Sequence, residues 1–103
     1  MLLLTKEDHI WLIDFCHRWK ITELALFGSA LRLDFRPDSD LDFLATFSPQ
    51  AEWGLLDHSA MQEELSIYFH RTIDLVSRKG VEQSANARRR RQILETAEVV
   101  YAA

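Results

Sequence analysis

Residues 40–47 read DLDFLATF, and this segment limits the fold more than any other part of the chain. Successive side chains of a strand point to opposite faces of its sheet. Leu41, Phe43, Ala45 and Phe47 then fall on one side, and Asp40, Asp42, Leu44 and Thr46 on the other. The segment reads as a strand with an apolar face and an acidic end. RPDS at 36–39 supplies the break before it, because Pro37 restricts the residue ahead of it and removes a hydrogen-bond donor.

Two more apolar runs are candidates for the same sheet. ITELALFG, 21–28, reads as a short buried strand ended by Gly28, and TIDLVS, 72–77, is β-branched and carries Asp74 near its start. Helical spacing fills the intervals. In TKEDHIWLIDFCHRWK, 5–20, Leu12, Phe15, Cys16 and Trp19 line one face, with Thr5 as N-cap and Asp8 in the capping-box place. Met61, Leu65, Tyr68 and Phe69 mark a second helix over about 55–69. SALRLDF fits a two-turn helix capped by Ser29. The tail from Val81 reads as one helix to about Glu95, after which EVVYA has strand character suited to a sheet edge. The expected fold is α/β: a single small domain over 1–103, with a short mixed sheet of three to four strands flanked by helices.

With 103 residues the chain can build one modest core but no second substrate-binding lobe, so a large substrate must bind at its surface or be shared with a partner. A net charge of −4 weighs against direct nucleic-acid binding, which depends on neutralising phosphates. The run Arg88–Arg91 is the exception in that balance, either a solvated helix face or a docking surface for an acidic partner or RNA. The one cysteine, Cys16, excludes an intramolecular disulfide and a cysteine zinc cluster, and fits a reducing, cytoplasmic setting. MLLL is too brief for a signal segment, and no stretch approaches the length of a membrane span. His9, His17, His58 and His70 lack metal-ligand spacing, while Trp11, Trp19 and Trp53 read as core or interface residues.

The chemistry concentrates around the acidic strand. Asp40 and Asp42 share a face, where two like charges repel unless they take up a proton or a cation. Magnesium suits them, since it binds through one or two carboxylates together with substrate phosphates. Asp74, on another short apolar strand, would bring a third carboxylate, and three make the framework of a two-metal phosphoryl-transfer site. Gly28 and Ser29 stand where a strand turns toward a helix, a place where free backbone N–H groups favour phosphate. Arg32 follows Ser29 by one helical turn and can reach the same phosphate group.

The pattern GSALR…SDLDF…TIDLV resembles the signature of the DNA polymerase β-like nucleotidyltransferase superfamily, in its smallest branch, the minimal nucleotidyltransferase (MNT) domains. The similar layout covers nearly the whole chain. The resemblance implies nucleotide-binding positions at Gly28, Ser29, Arg32 and Ser39, and two magnesium ions held by Asp40, Asp42 and Asp74. One ion, on all three aspartates, would activate the acceptor hydroxyl; the other, on Asp40 and Asp42, would neutralise the departing phosphates. Asp74 would help to take the acceptor's proton. MNT proteins resemble the antitoxin half of toxin–antitoxin pairs whose partner is a HEPN ribonuclease. The implied activity is transfer of AMP from ATP to a tyrosine of that toxin, as a type VII-like antitoxin in a homo- or hetero-oligomer. The chain departs from the family pattern at Leu33, where glycine often follows the arginine.

Plainer alternatives exist for each residue. Asp40 could cap the turn after RPDS while Asp42 faces solvent, Asp74 could be an edge-strand surface residue, Ser29 a simple N-cap and Arg32 a surface charge. Two other functions also stand beside the enzyme: a binding subunit that neutralises its partner without catalysis, and nucleotidyl transfer to a small molecule.

Overall fold

The computed structural model describes all of residues 1–103. Helix α1, Lys6–Arg18, begins with the capping box that its sequence announces: the Thr5 hydroxyl accepts from the Asp8 N–H at 3.1 Å, and the Asp8 carboxylate accepts from the Thr5 N–H at 2.9 Å. Strand β1, Ile21–Phe27, leads into a single 3₁₀ turn, Gly28–Leu31. Then follow β2, Leu41–Phe47; α2, Leu55–Phe69; β3, Ile73–Ser77; α3, Arg78–Glu82; α4, Ala87–Thr96; and β4, Glu98–Ala102.

The four strands form one mixed sheet in the order β3-β2-β1-β4. β1 runs antiparallel to both β2 and β4, while β2 and β3 are parallel with Asp42 directly beside Asp74. The parallel pairing needs a crossover, and α2 provides it. EVVYA therefore does extend the sheet, along the free side of β1.

The alternation in β2 sorts residues between two apolar layers. Leu41, Phe43 and Ala45 join Leu12, Phe15 and Cys16 of α1 and Met61 and Leu65 of α2 in the larger core. Leu44, on the opposite face, packs in a smaller cluster with Ala25, Phe27, Val81 and Ile93, which brings α3 and α4 onto that side. β1 is thus buried on both faces, which accounts for its nearly continuous apolar run. Glu64 ties α1 to α2 by accepting from Arg18 and from the Trp19 indole. The Trp53 indole donates to the Trp19 carbonyl at 2.7 Å, so both tryptophans are packing residues. Cys16 is free and fully buried, and burial pushes its thiol up to about 12.

Two expected helices take a different form. The two-turn helix over SALRLDF is only a 3₁₀ turn, and the residue before it, Phe27, holds the cap position without a side-chain bond. The Ser29 hydroxyl instead donates to the Asp40 carbonyl at 3.0 Å, and Arg32 is already extended. Ala30, Leu31 and Phe35 still pack on the core, so the segment buries its apolar side chains without continuing the helix, while Leu33 points outward at 96% exposure. The single tail helix is two, because Ser77 caps α3 through the Gly80 N–H and Asn86 starts α4 by accepting from the Arg89 N–H. Short polar side chains that bond nearby backbone groups begin helices rather than continue them.

Candidate active site

Gly28 has φ +70, a left-handed conformation that glycine adopts without steric cost. A Cβ at this position would lie 2.5 Å from Asp42 Oδ2. The glycine is required twice, by its backbone and by the carboxylate pressed against it. Asp42 is half-buried; Asp40 and Asp74 are exposed on either side of it. Burial pushes the Asp42 carboxyl above its ordinary range, and the charges of Asp74 and Asp40 push it further. Arg89 and the backbone N–H of Ser29 pull the other way. A carboxylate so placed favours a cation beside it.

The loop between the 3₁₀ turn and β2 is held from beneath by Arg71. Its guanidinium donates to the carbonyls of Arg36 and Ser39, at 2.7 and 3.2 Å, and lies 4.3 Å from the centre of the Phe35 ring. The Ser39 hydroxyl closes the turn by accepting from the Arg36 N–H at 3.1 Å. The Leu41 N–H then donates to the Thr72 carbonyl, so the residues just before β3 set where β2 and its aspartates begin. Arg71 escaped the sequence reading because a partner 32 residues away leaves no local trace.

Beside the carboxylates opens a cleft of about 870 Å³. Gly28, Ser29, Arg32, Arg36 and Ser39 line one wall, and Arg89 and Gln92 of α4 the other. The three aspartates do not line it. Gly28 joins the two regions, with its backbone in the cleft wall and Asp42 behind it. Arg32 does not share a helical face with Ser29 as expected; it is 69% exposed and pairs with Asp34 at 2.9 Å. Leu33 is outside the left-handed region, so the missing glycine costs the loop no backbone strain.

The donor set suits magnesium in kind, being all carboxylate oxygen, with Asp42 short of a compensating charge. As the side chains stand, no three acidic, histidine or cysteine groups converge on a single position. Asp42 and Asp74 meet through strand register, whereas Asp40 projects from the residue just before β2.

The fold is a small α/β sheet in which a left-handed glycine turn lies against Asp42 and Asp74 stands beside it in register. The family model for the nucleotidyltransferase domain matches residues 12–100, and the chain belongs to that family. A solved structure assigned as a minimal nucleotidyltransferase is 30% identical, with a TM-score of 0.68, and the match covers 90% of this chain and 89% of that one. A toxin–antitoxin structure with AMP-PNP is similar in fold at 17% identity and TM-score 0.68, over 96% of this chain and 75% of that one. A complex of a tri-AMPylated HEPN toxin from Shewanella oneidensis with its MNT antitoxin gives 13% identity and TM-score 0.65, over 97% and 74%. A sequence search among curated proteins finds no match.

Proposed function

We propose that this chain is a magnesium-dependent nucleotidyltransferase that moves AMP from ATP to a protein hydroxyl, a tyrosine of a HEPN toxin, and so acts as its antitoxin. The observation that carries this reading is the contact of left-handed Gly28 with Asp42, beside Asp74 in register. It sets a left-handed backbone turn against a carboxylate pair, an arrangement that supports phosphate and metal binding side by side. Relatives in fold include one toxin–antitoxin structure holding AMP-PNP and one whose HEPN toxin is AMPylated, which supports the choice of nucleotide and partner.

In this reading residues 1–103 act as one catalytic domain. The Gly28 turn, whose backbone lines the cleft, holds the phosphates, and the Ser39 turn frames the cleft. Asp40, Asp42 and Asp74 would hold magnesium, which would neutralise phosphate charge and lower the pKa of the acceptor hydroxyl. The acceptor oxygen attacks the α-phosphorus, the bond to the β-phosphate oxygen breaks, and pyrophosphate leaves. Asp74 takes the acceptor's proton, and its exposure on an edge strand leaves it open to a partner's side chain. Arg32 reaches the nucleotide by leaving Asp34, a small loss because exposed ion pairs contribute little.

The test is incubation with α-labelled ATP, magnesium and the protein encoded next to this chain's gene. Label should move to the partner with the wild type and not with Asp40→Ala plus Asp42→Ala, nor after chelation of magnesium. Neutralisation of the partner by the double variant, with no label transferred by either form, would establish the chain as a binding subunit instead.

A further inference from the structure

We propose that Arg89 of α4 is a phosphate-binding residue of the nucleotide cleft, closing it from the side opposite Gly28 and Ser29. The proposal rests on the nucleotidyltransferase reading above and adds to it a residue from the four-arginine run.

Placement comes first. Ile93 is 5% exposed and packs in the cluster that includes Phe27, the residue before Gly28. That burial fixes which face of α4 meets the sheet. Arg89 lies four residues earlier and Gln92 three residues after Arg89, so the stripe that anchors the helix also carries these two side chains to the cleft wall. The Asn86 cap accepts from the Arg89 N–H at 3.1 Å and sets where the first turn begins.

Availability separates Arg89 from the other cations nearby. Arg32 must first leave Asp34 to reach a ligand, and it sits on the same wall as Gly28 and Ser29 rather than opposite them. Arg90 donates to the Ser84 carbonyl at 2.6 Å and does not line this cleft. The guanidinium of Arg89 is exposed and takes part in none of the ion pairs of the chain. Arg36 is also unpaired, but it stands on the loop before β2, whereas Arg89 stands on a helix that Ile93 packs against the sheet.

Charge favours the role. Asp34 and Asp38 line the cleft with Arg32 and Arg36, and Asp40 and Asp42 lie just beyond it. On the wall opposite Gly28, Arg89 is the cation that can offset the charge of an entering polyphosphate. A guanidinium matches phosphate oxygens in pairs, which a point charge does not.

Binding of AMP-PNP with magnesium, of inorganic tripolyphosphate and of adenosine to the whole protein, followed by calorimetry, tests this. Arg89→Ala should weaken AMP-PNP and tripolyphosphate by about ten- to a hundredfold, the range of a lost charge-assisted hydrogen bond. Adenosine binding and the thermal midpoint should not change, Arg89→Lys should recover part of the loss, and Arg91→Ala should behave as wild type. If Arg89→Ala binds AMP-PNP within twofold of a wild type that binds it well, the assignment of Arg89 is wrong and the nucleotidyltransferase reading survives. If the wild type binds neither AMP-PNP nor tripolyphosphate, that reading falls and the role of Arg89 falls with it.

Discussion

Gly28 and Asp42 make opposite demands on stability and on chemistry. Gly28→Ala would place a Cβ in the left-handed region, at about 1–2 kcal/mol, and would force the Asp42 side chain away from 2.5 Å. A fall in thermal midpoint of about 4–8 °C per kcal/mol is expected, together with loss of AMP-PNP binding. Asp42→Asn should do the reverse to stability. The carboxyl is raised above its value of 3.8 by burial first, then by Asp74 and Asp40, so its ionised form is the disfavoured one in the fold. In metal-free protein the penalty is absent below pH 3.8, grows as pH rises through the raised folded value, and is constant above it. Asp42→Asn should therefore raise the thermal midpoint at neutral pH without divalent cations, converge with wild type at acid pH, and abolish nucleotidyl transfer. A lower midpoint at neutral pH would show that Asp42 is held by contacts other than those described.

At the level of elements, local signals worked where a short polar side chain had a backbone partner in reach. The Thr5–Asp8 box is one case. Burial raises the Asp8 carboxyl, but hydrogen bonds from the Thr5 backbone, Tyr68 and the Thr5 hydroxyl outweigh it and hold the group below 3.8. Its contribution is full above pH 3.8 and is lost as pH falls through the lowered folded value. Thr5→Ala should cost about 1 kcal/mol at neutral pH, and the difference should narrow in acid, followed by circular dichroism. The same kind of signal misled at Ser29. Its hydroxyl found a partner eleven residues away, at the Asp40 carbonyl, rather than at its own helix. That bond positions the turn better than a cap would, because it ties the turn after Gly28 to the residue just before β2.

For the whole molecule, the sheet order decides which charges meet. Parallel pairing of β2 and β3 sets Asp42 against Asp74, and the small cluster around Ile93 sets α4 over the same face. Ligand that binds only this assembled state must stabilise it. AMP-PNP with magnesium at 100 times its dissociation constant should add about 2.7 kcal/mol to folding stability, read as a higher thermal midpoint. Asp40→Ala plus Asp42→Ala should show no such rise, and an undiminished rise in that variant would place the nucleotide elsewhere.

What the chain's sequence determined by itself is everything carried by short-range periodicity and turn chemistry. The alternation in 40–47 and the capped first helix were legible, because each depends on neighbours within a few residues, and Asp42 and Asp74 could each be set on a short apolar strand though not beside one another. What only the tertiary structure decided is which distant groups share a surface. Arg89 looked like one of four equivalent arginines until Ile93 docked α4, and Arg71 looked like a loop cation until its guanidinium reached the carbonyls of Arg36 and Ser39. Helix docking and strand register are chosen by the burial of the whole core, and no window of neighbouring residues contains that choice.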